Sequence, residues 1–326
     1  VASDYRIAIV SDIHYAGAAE RARGDDYEYR DLANPFSRHF VKHYRHFFWL
    51  RHPMRHNHLL DQFLEHAGKP DLVVANGDYS CDTAFIGMAD DAALASAREC
   101  LQKLRERFAP NFRATIGDHE LGKLSFFGGR GGMTLEAFRR ARQVLDLPPF
   151  WRVDVGNYVI LGVTSSLLAL PALEPDTLPE ERAAWREARE EQFGEIRRAF
   201  ADLKPSQRVI LFCHDPTALP SLWRDDTVRS RLGQIECTVI GHLHSNLVLW
   251  KSRLLAGMPQ IPFLGHTVKR MSFALSEARH WRPFHVRLCP SLSGIQLLKD
   301  GGYCTLELDL SATKPALFQF HRLRPA

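Results

Sequence analysis

Five short, mostly apolar runs, each ending on aspartate, histidine or both, constrain this 326-residue chain more than any other feature. Arg6–Val10 (RIAIV) runs into SDIH, Leu72–Ala75 (LVVA) into NGD, and Arg113–Ile116 (RATI) into GDHE. Val209–Phe212 (VILF) runs into CHD and Thr238–Ile240 (TVI) into GHLH. Short continuous apolar runs read as strands buried on both faces, as in a sheet covered by helices. The loops beyond such strand ends are where open α/β sheets place their sites. Helical patterns lie between, over Leu59–Ala67, Asp91–Phe108, Leu135–Leu145 and Pro179–Leu203. Tyr158–Val163 and Tyr303–Leu308 read as further strands, and strands so late in the chain favour a core of two sheets over one parallel sheet. With no internal repeat, low-complexity tract or linker, residues 1–326 read as one domain.

Composition removes several function classes. A hydrophobic content of 45% with 25% charged residues is that of a soluble globular chain. The net charge of +4 and the glutamate-rich stretch Glu180–Glu195 offer no broad basic track, so nucleic acid is not an expected partner. The six cysteines (Cys81, Cys100, Cys213, Cys237, Cys289 and Cys304) form no CxxC pair, and read as buried thiols in a reducing compartment. No run is long enough to span a membrane and no signal-peptide pattern opens the sequence, so the cytoplasm is the expected location. The 16 histidines stand out, and several of them fall in the strand-end clusters.

Those clusters are Asp12-x-His14, Gly77-Asp78, Gly117-Asp118-His119-Glu120, His214-x-Pro216 and Gly241-His242-x-His244. A DxH or GD alone is a weak signal. Their order, strand-end placement and adjacent glycines are together specific, and carboxylates with imidazoles are the donors that hard divalent ions need. The series resembles the calcineurin-like metallophosphoesterase superfamily, whose pattern is DxH, GD, GNH(E/D), H and GHxH in that order. The tail PSLSG…GGYCTLELD resembles that family's closing strands.

The resemblance implies an α/β four-layer sandwich, two packed mixed β-sheets flanked by helices, with metals at the strand C-terminal ends. It implies two divalent ions, manganese first, iron or zinc as alternatives. Asp12, His14, Asp78 and His244 would hold one ion, and Asp78, Asp118, His214 and His242 the other, with Asp78 bridging. In such sites a metal-acidified water attacks phosphorus in line. His119 is then expected on the leaving-group side as general acid or charge stabiliser, and Glu120 behind it as the group orienting its ring.

One position departs from the pattern: Asp118 stands where the family has asparagine. A carboxylate can ligate the same ions but has no N–H for a phosphate oxygen, and it adds a negative charge. With Asp12, Asp78, Asp118 and a bridging hydroxide against two dications the site is roughly neutral. Cations from outside the metal shell should then matter more for an anionic substrate, and a trivalent ion such as iron(III) is favoured in one position.

Two insertions, at about 15–54 and 249–289, are expected to form a cap or substrate-binding surface. The first contains FSRHFVKHYRHFFWLRH, with Phe36, Phe40, Tyr44, Phe47 and Phe48 at helical spacing among Arg38, Lys42, Arg45 and His46. This 36–50 helix either packs its aromatic stripe on the core or lies at a lipid interface, peripheral to the inner face of the membrane. The second insertion carries Lys269 and Arg270, expected to bind substrate, with Trp250, Phe263, Phe273 and Trp281. Gly128-Gly129-Arg130-Gly131-Gly132 reads as a loop bringing Arg130 to a phosphate.

The resulting reading is a dinuclear metal-dependent phosphohydrolase of a small or amphipathic phosphate ester or pyrophosphate. UDP-diacylglucosamine, a lipid A precursor, is one candidate substrate. A cyclic-nucleotide or nucleotide phosphodiesterase is the alternative enzyme, and an inactive metal-binding interaction module the alternative of another class.

Overall fold

The computed structural model describes residues 5–125, 130–261, 263 and 266–323. Among them, ten strands form two five-stranded sheets. In chain order these are β1 (Tyr5–Val10), β2 (Leu72–Asn76), β3 (Phe112–Thr115), β4 (Phe150–Val155) and β5 (Tyr158–Val163). There follow β6 (Arg208–Cys213), β7 (Ile235–Ile240), β8 (Val286–Leu288), β9 (Gly302–Leu308) and β10 (Leu317–Arg322).

The first sheet has the order β10-β9-β1-β2-β3, with β1, β2 and β3 parallel and the closing pair antiparallel. The second has the order β4-β5-β6-β7-β8, parallel except for β4.

Strand periodicity sorts the apolar residues into three cores. In β1 and β2, Ile7, Ile9, Leu72 and Val74 point between the sheets, where they meet Ile160, Ile210 and Phe212. The alternate residues Ala8, Val10, Val73 and Ala75 pack under Leu59, Phe63, Leu101 and Leu104, from the helices Asn57–His66 and Asp91–Phe108. Across the molecule Val159, Leu161, Val209 and Leu211 pack with Phe193, Ile196 and Phe200 of the helix Arg182–Ala201. Each fully buried large aliphatic side chain contributes about 1.5–3 kcal/mol. The result is the expected four-layer α/β sandwich.

One expectation changes, and of two alternatives left open one is removed. The second insertion is not wholly a cap: Ala278, Trp281 and Phe284 sit in the helix-covered core, and β8 pairs in parallel with β7 as the edge of the second sheet. In the helix Pro35–Phe47, the aromatic stripe faces outward. Phe36 is 84% and Phe40 62% exposed, while Val41 and Arg45 are the buried residues. Arg45 goes inward because Glu28 pairs with it and its guanidinium lies 6.0 Å from the Tyr27 ring.

Polar contacts also join the sheets, among them one through an indole. Trp151 of β4 donates its indole N–H to the Ala114 carbonyl of β3 at 3.0 Å. Gly162, its cross-strand partner, makes room for it: a Cβ there would fall 2.0 Å from the indole. Gly162→Ala must therefore displace Trp151 and break that bond. A loss of roughly 1–3 kcal/mol is expected in urea unfolding, and an unchanged midpoint would show the indole is free to move.

Candidate metal centre

The strand ends of both sheets turn toward one another through unusual backbone. Asp12 and His14 follow β1 with φ of 50° and 48°, Asp78 follows β2 at 60°, and His242 and His244 follow β7 at 61° and 59°. Left-handed backbone costs a residue with a side chain roughly 1–2 kcal/mol, so surrounding bonds must hold it. Here they do. The amides of Asp12, His14 and Tyr15 donate to the carbonyls of Gly77, Asp78 and Tyr79 at 3.1, 3.0 and 2.9 Å. The β1–β2 pairing thus continues beyond the strands. Gly117 and Gly241 allow the loops to close: a Cβ on Gly117 would lie 2.3 Å from Asp78 Oδ1, and one on Gly241 2.5 Å from Asp12 Oδ2.

The seven expected ligands meet in two adjoining groups. Asp78, Asp118, His214 and His242 form one and Asp12, His14 and His244 the other, with the donor atoms of each group within 4.8 Å of one another. In the first, His214 Nε2 lies 3.2 Å from Asp78 and 3.1 Å from Asp118, and His242 Nδ1 lies 2.9 Å from Asp118. In the second, His244 Nε2 is 3.3 Å from both Asp12 Oδ1 and His14 Nε2. Asp78 also groups with His14 and His119, which places it between the two.

Backbone carbonyls set the tautomers. Since a carbonyl only accepts, Nδ1–H of His14 donates to Ser80, of His214 to Asn76, and of His119 to Cys81. Each ring then turns its Nε2 toward the site. Asp12 accepts from the His242 amide and the Ser11 hydroxyl.

The electrostatics show a demand for cations. Burial pushes Asp118 up, but His242, Lys123 and His214 hold it well below the usual carboxylate range. Burial pushes His214 down, yet Asp78 and Asp12 raise it well above its ordinary value. His242, likewise against burial, is pushed up to about 9 by Asp215 and Asp118. His119 lies the other way, pushed down to about 3 by burial and by Lys123.

Glu120 does not do what its position beside His119 suggests. Its fully buried carboxylate accepts from the amides of Gly117 (2.8 Å), Asp78 (3.0 Å) and Tyr79 (2.8 Å). The ring of His119 is oriented by the Cys81 carbonyl instead. Glu120 is therefore a positioning residue, tying the GD loop to the GDHE turn.

Three residues near the cluster escaped sequence reasoning. Lys123 brings its ammonium to His119 Nε2 and within 3.8 Å of Asp118. Asp215 approaches His242 at 3.8 Å. Trp49 lies with its ring 4.8 Å from that of His244. Only the spacing D-x4-K in GDHELGK hinted at Lys123.

The structure does not bring the expected substrate residues to these groups. Arg130 contacts Asp31, the Tyr27 carbonyl and the Phe85 ring, and Arg270 pairs with Asp176. Lys269 is exposed. Gly128 and Gly129 lie outside the described residues.

The sequence pattern of the family described as calcineurin-like phosphoesterase matches residues 5–246. The chain belongs to that family. As a calcineurin-like phosphoesterase it is a hydrolase of phosphoric esters. No curated protein matches its sequence. Solved structures similar to it include a dimetal phosphatase from Danio rerio, at 11% identity and TM-score 0.42 over 94% of this chain and 93% of that one. The purple acid phosphatase PPD1 of yellow lupin seeds gives 15% identity and TM-score 0.38, over 74% of this chain but only 38% of the lupin chain. The phosphopantetheinyl hydrolase of Mycobacterium tuberculosis gives 16% identity and TM-score 0.36, over 75% and 84%.

The donors of this phosphoesterase fit a dinuclear divalent site. Oxygen and imidazole nitrogen suit hard and borderline dications, and three carboxylates supply the counter-charge. Wild type should bind two ions per chain by elemental analysis, His242→Ala about one and Asp78→Ala none. A site loaded at a hundredfold over its dissociation constant adds roughly 2.7 kcal/mol of stability, so chelation should lower the melting temperature of wild type and leave Asp78→Ala unmoved. Glu120→Ala and His119→Ala should fail differently. The first strands three buried amides and should cost roughly 3–5 kcal/mol in urea. The second should keep its metals and lose most turnover.

Proposed function

We propose that this phosphoesterase hydrolyses an amphipathic phosphate ester or pyrophosphate at the inner face of a membrane, with manganese as its preferred metal. One observation carries the reading: a ladder of rings runs from the exposed helix to the metal centre. Phe40, Tyr44, Trp49 and His244 follow one another at centroid distances of 6.5, 6.3 and 4.8 Å. An acyl chain lying along the ladder would have its headgroup beside His244. Phe36, Phe47 and Phe48 extend the exposed apolar surface, and the exposed Lys42 and Arg51 add positive charge in the same segment, which suits anionic lipid. Among the described residues no helix is long and apolar enough to cross a membrane, so contact would be lateral.

In this reading the chain is one catalytic domain, and residues 15–54 with the outer part of 249–289 cap the site. Asp12, His14, Asp78 and His244 would hold one ion, and Asp78, Asp118, His214 and His242 the other. When bound, the ions supply Lewis acidity toward the phosphoryl group and acidify the attacking water. His119, with Nε2 3.7 Å from Asp78 Oδ2, would take up a proton from solvent at Nε2 as substrate binds and give it to the leaving oxygen. Its low proton affinity rises when an anionic substrate enters beside it. UDP-diacylglucosamine is one member of this substrate class, and no described residue singles it out. A nucleotide phosphodiesterase is the second reading, favoured by Trp49, whose ring could stack on a base.

Activity on phosphodiesters of graded acyl length separates the two. Each buried methylene is worth about 0.8 kcal/mol, a gain of up to roughly fourfold in kcat/KM. Wild type should show the rise and respond to anionic vesicles, while Phe40→Asp should flatten it. Indifference to chain length and vesicles, with turnover of cyclic nucleotides, would decide for the nucleotide reading.

A further inference from the structure

The extra carboxylate of Asp118 has a matching cation five residues further along the chain. Asp118 lies in the helical turn Asp118–Leu121, and the chain leaves it at Gly122, with φ of 88°, so that Lys123 folds back over the turn. Its ammonium sits 3.8 Å from Asp118 Oδ2 and contacts His119 Nε2, while the side chain stays 30% exposed at the mouth of the centre. Asp118 itself is an acceptor only, already shared by His214 at 3.1 Å and His242 at 2.9 Å. It has nothing to donate to a substrate oxygen. An ammonium offers three donors on a flexible stem and a full positive charge.

We propose that Asp118 and Lys123 act as a split pair: the carboxylate serves the second metal position, and the ammonium binds a phosphoryl oxygen of the substrate. This rests on the phosphoesterase reading of the centre. The geometry gives Lys123 the freedom for it. It is attached outside the ligand loops and reaches the edge shared by Asp118 and His119; among the described residues Asp118 is the carboxylate it pairs with, while the buried Asp82 feels its charge from further away. A phosphate entering between His119 and the metal positions meets the ammonium on the side where Asp118 presents only negative charge. The substrate charge that a roughly neutral centre would fail to attract is thereby matched locally.

The test is inorganic phosphate binding by calorimetry on manganese-loaded protein, with metal content measured on the same samples. Wild type, Lys123→Met, Lys123→Arg, Asp118→Asn and the double variant Asp118→Asn/Lys123→Met are compared. Lys123→Met should keep two metals and bind phosphate roughly tenfold to a hundredfold more weakly, the range for a bond to a charged group. Lys123→Arg should restore most of the affinity. In the Asp118→Asn background, where the amide supplies an N–H, the same loss of Lys123 should cost less than about threefold. Should the methionine variant melt early, Lys123→Gln carries the same comparison.

Equal phosphate affinity in wild type and Lys123→Met overturns the proposal. So does an equal loss in both backgrounds, or a loss of metal in place of phosphate, which would make Lys123 a mere counter-charge. A wild type that takes up two metals but binds no phosphate and hydrolyses no ester overturns the phosphoesterase reading itself, and the proposal with it. That result is distinct because it appears before any substitution.

Discussion

A carboxylate that faces neither metal group holds the centre together. Glu120 gathers three amides from two loops, those of Asp78 and Tyr79 after β2 and that of Gly117 before the GDHE turn. Asp78 is the residue placed between the two metal groups, and Asp118 and His119 lie in the turn that Glu120 closes. Burial and Asp78 push Glu120 up to about 8, and its amide bonds work against that rise. The stabilisation is therefore a balance: a costly buried acid is kept because three donors that would otherwise be stranded converge on it. Shifting that carboxylate would move ligands of both groups together.

The left-handed strand ends follow from the same requirement. Five of the seven clustered ligands have positive φ, and none of the five is a glycine. Regular extended backbone alternates side chains to opposite faces, so a DxH or HxH motif left in a strand would point both of its ligands to one face and along the strand. Turning these five residues left-handed bends the chain at three strand ends and brings their donors up to those of Asp118 and His214. That strain, with three carboxylates in close quarters, is the cost of a centre prearranged for cations. The four-layer fold supplies the opposing stability, since its three cores hold β1, β2, β6 and β7 fixed behind the loops.

What could be read from the sequence tracks how strongly each residue's surroundings are one-sided. Seven strands were legible because they are buried on both faces and hence continuously apolar, as in LVVA or VILF. The strands β4, β8 and β10 were not. FWRVDV and LFQFHR alternate at the sheet edges with half of their residues toward solvent, and VRL is too short for a pattern. The seven clustered aspartates and histidines were legible as motifs, since each stands at the end of a strand beside a recognisable neighbour. Glu120 was misplaced because adjacency in a helical turn separates neighbours by about 100° around the axis, sending His119 toward the cluster and Glu120 behind it. Lys123 and Trp49 reach the centre from a loop and a helix end, and nothing in local pattern fixes where such side chains land.

The aromatic helix shows the limit of reading amphipathicity as burial. Its apolar and polar faces were both legible, yet the hydrophobic face is the one turned to solvent. Had Phe36, Phe40 and Phe47 been buried, Arg45 would have been left outside, its pairing with Glu28 lost and the carboxylate stranded near Tyr27. Arg38 adds to the inward side by donating to the Leu32 carbonyl. The helix is thus held by its cations and presents its rings. Exposing that many adjoining aromatics runs against the hydrophobic effect, and a contiguous surface of this kind is retained where something apolar covers it in use. Because the ring ladder ends on His244, the exposed face of the helix and the histidines at the strand ends are joined by one run of aromatic contacts.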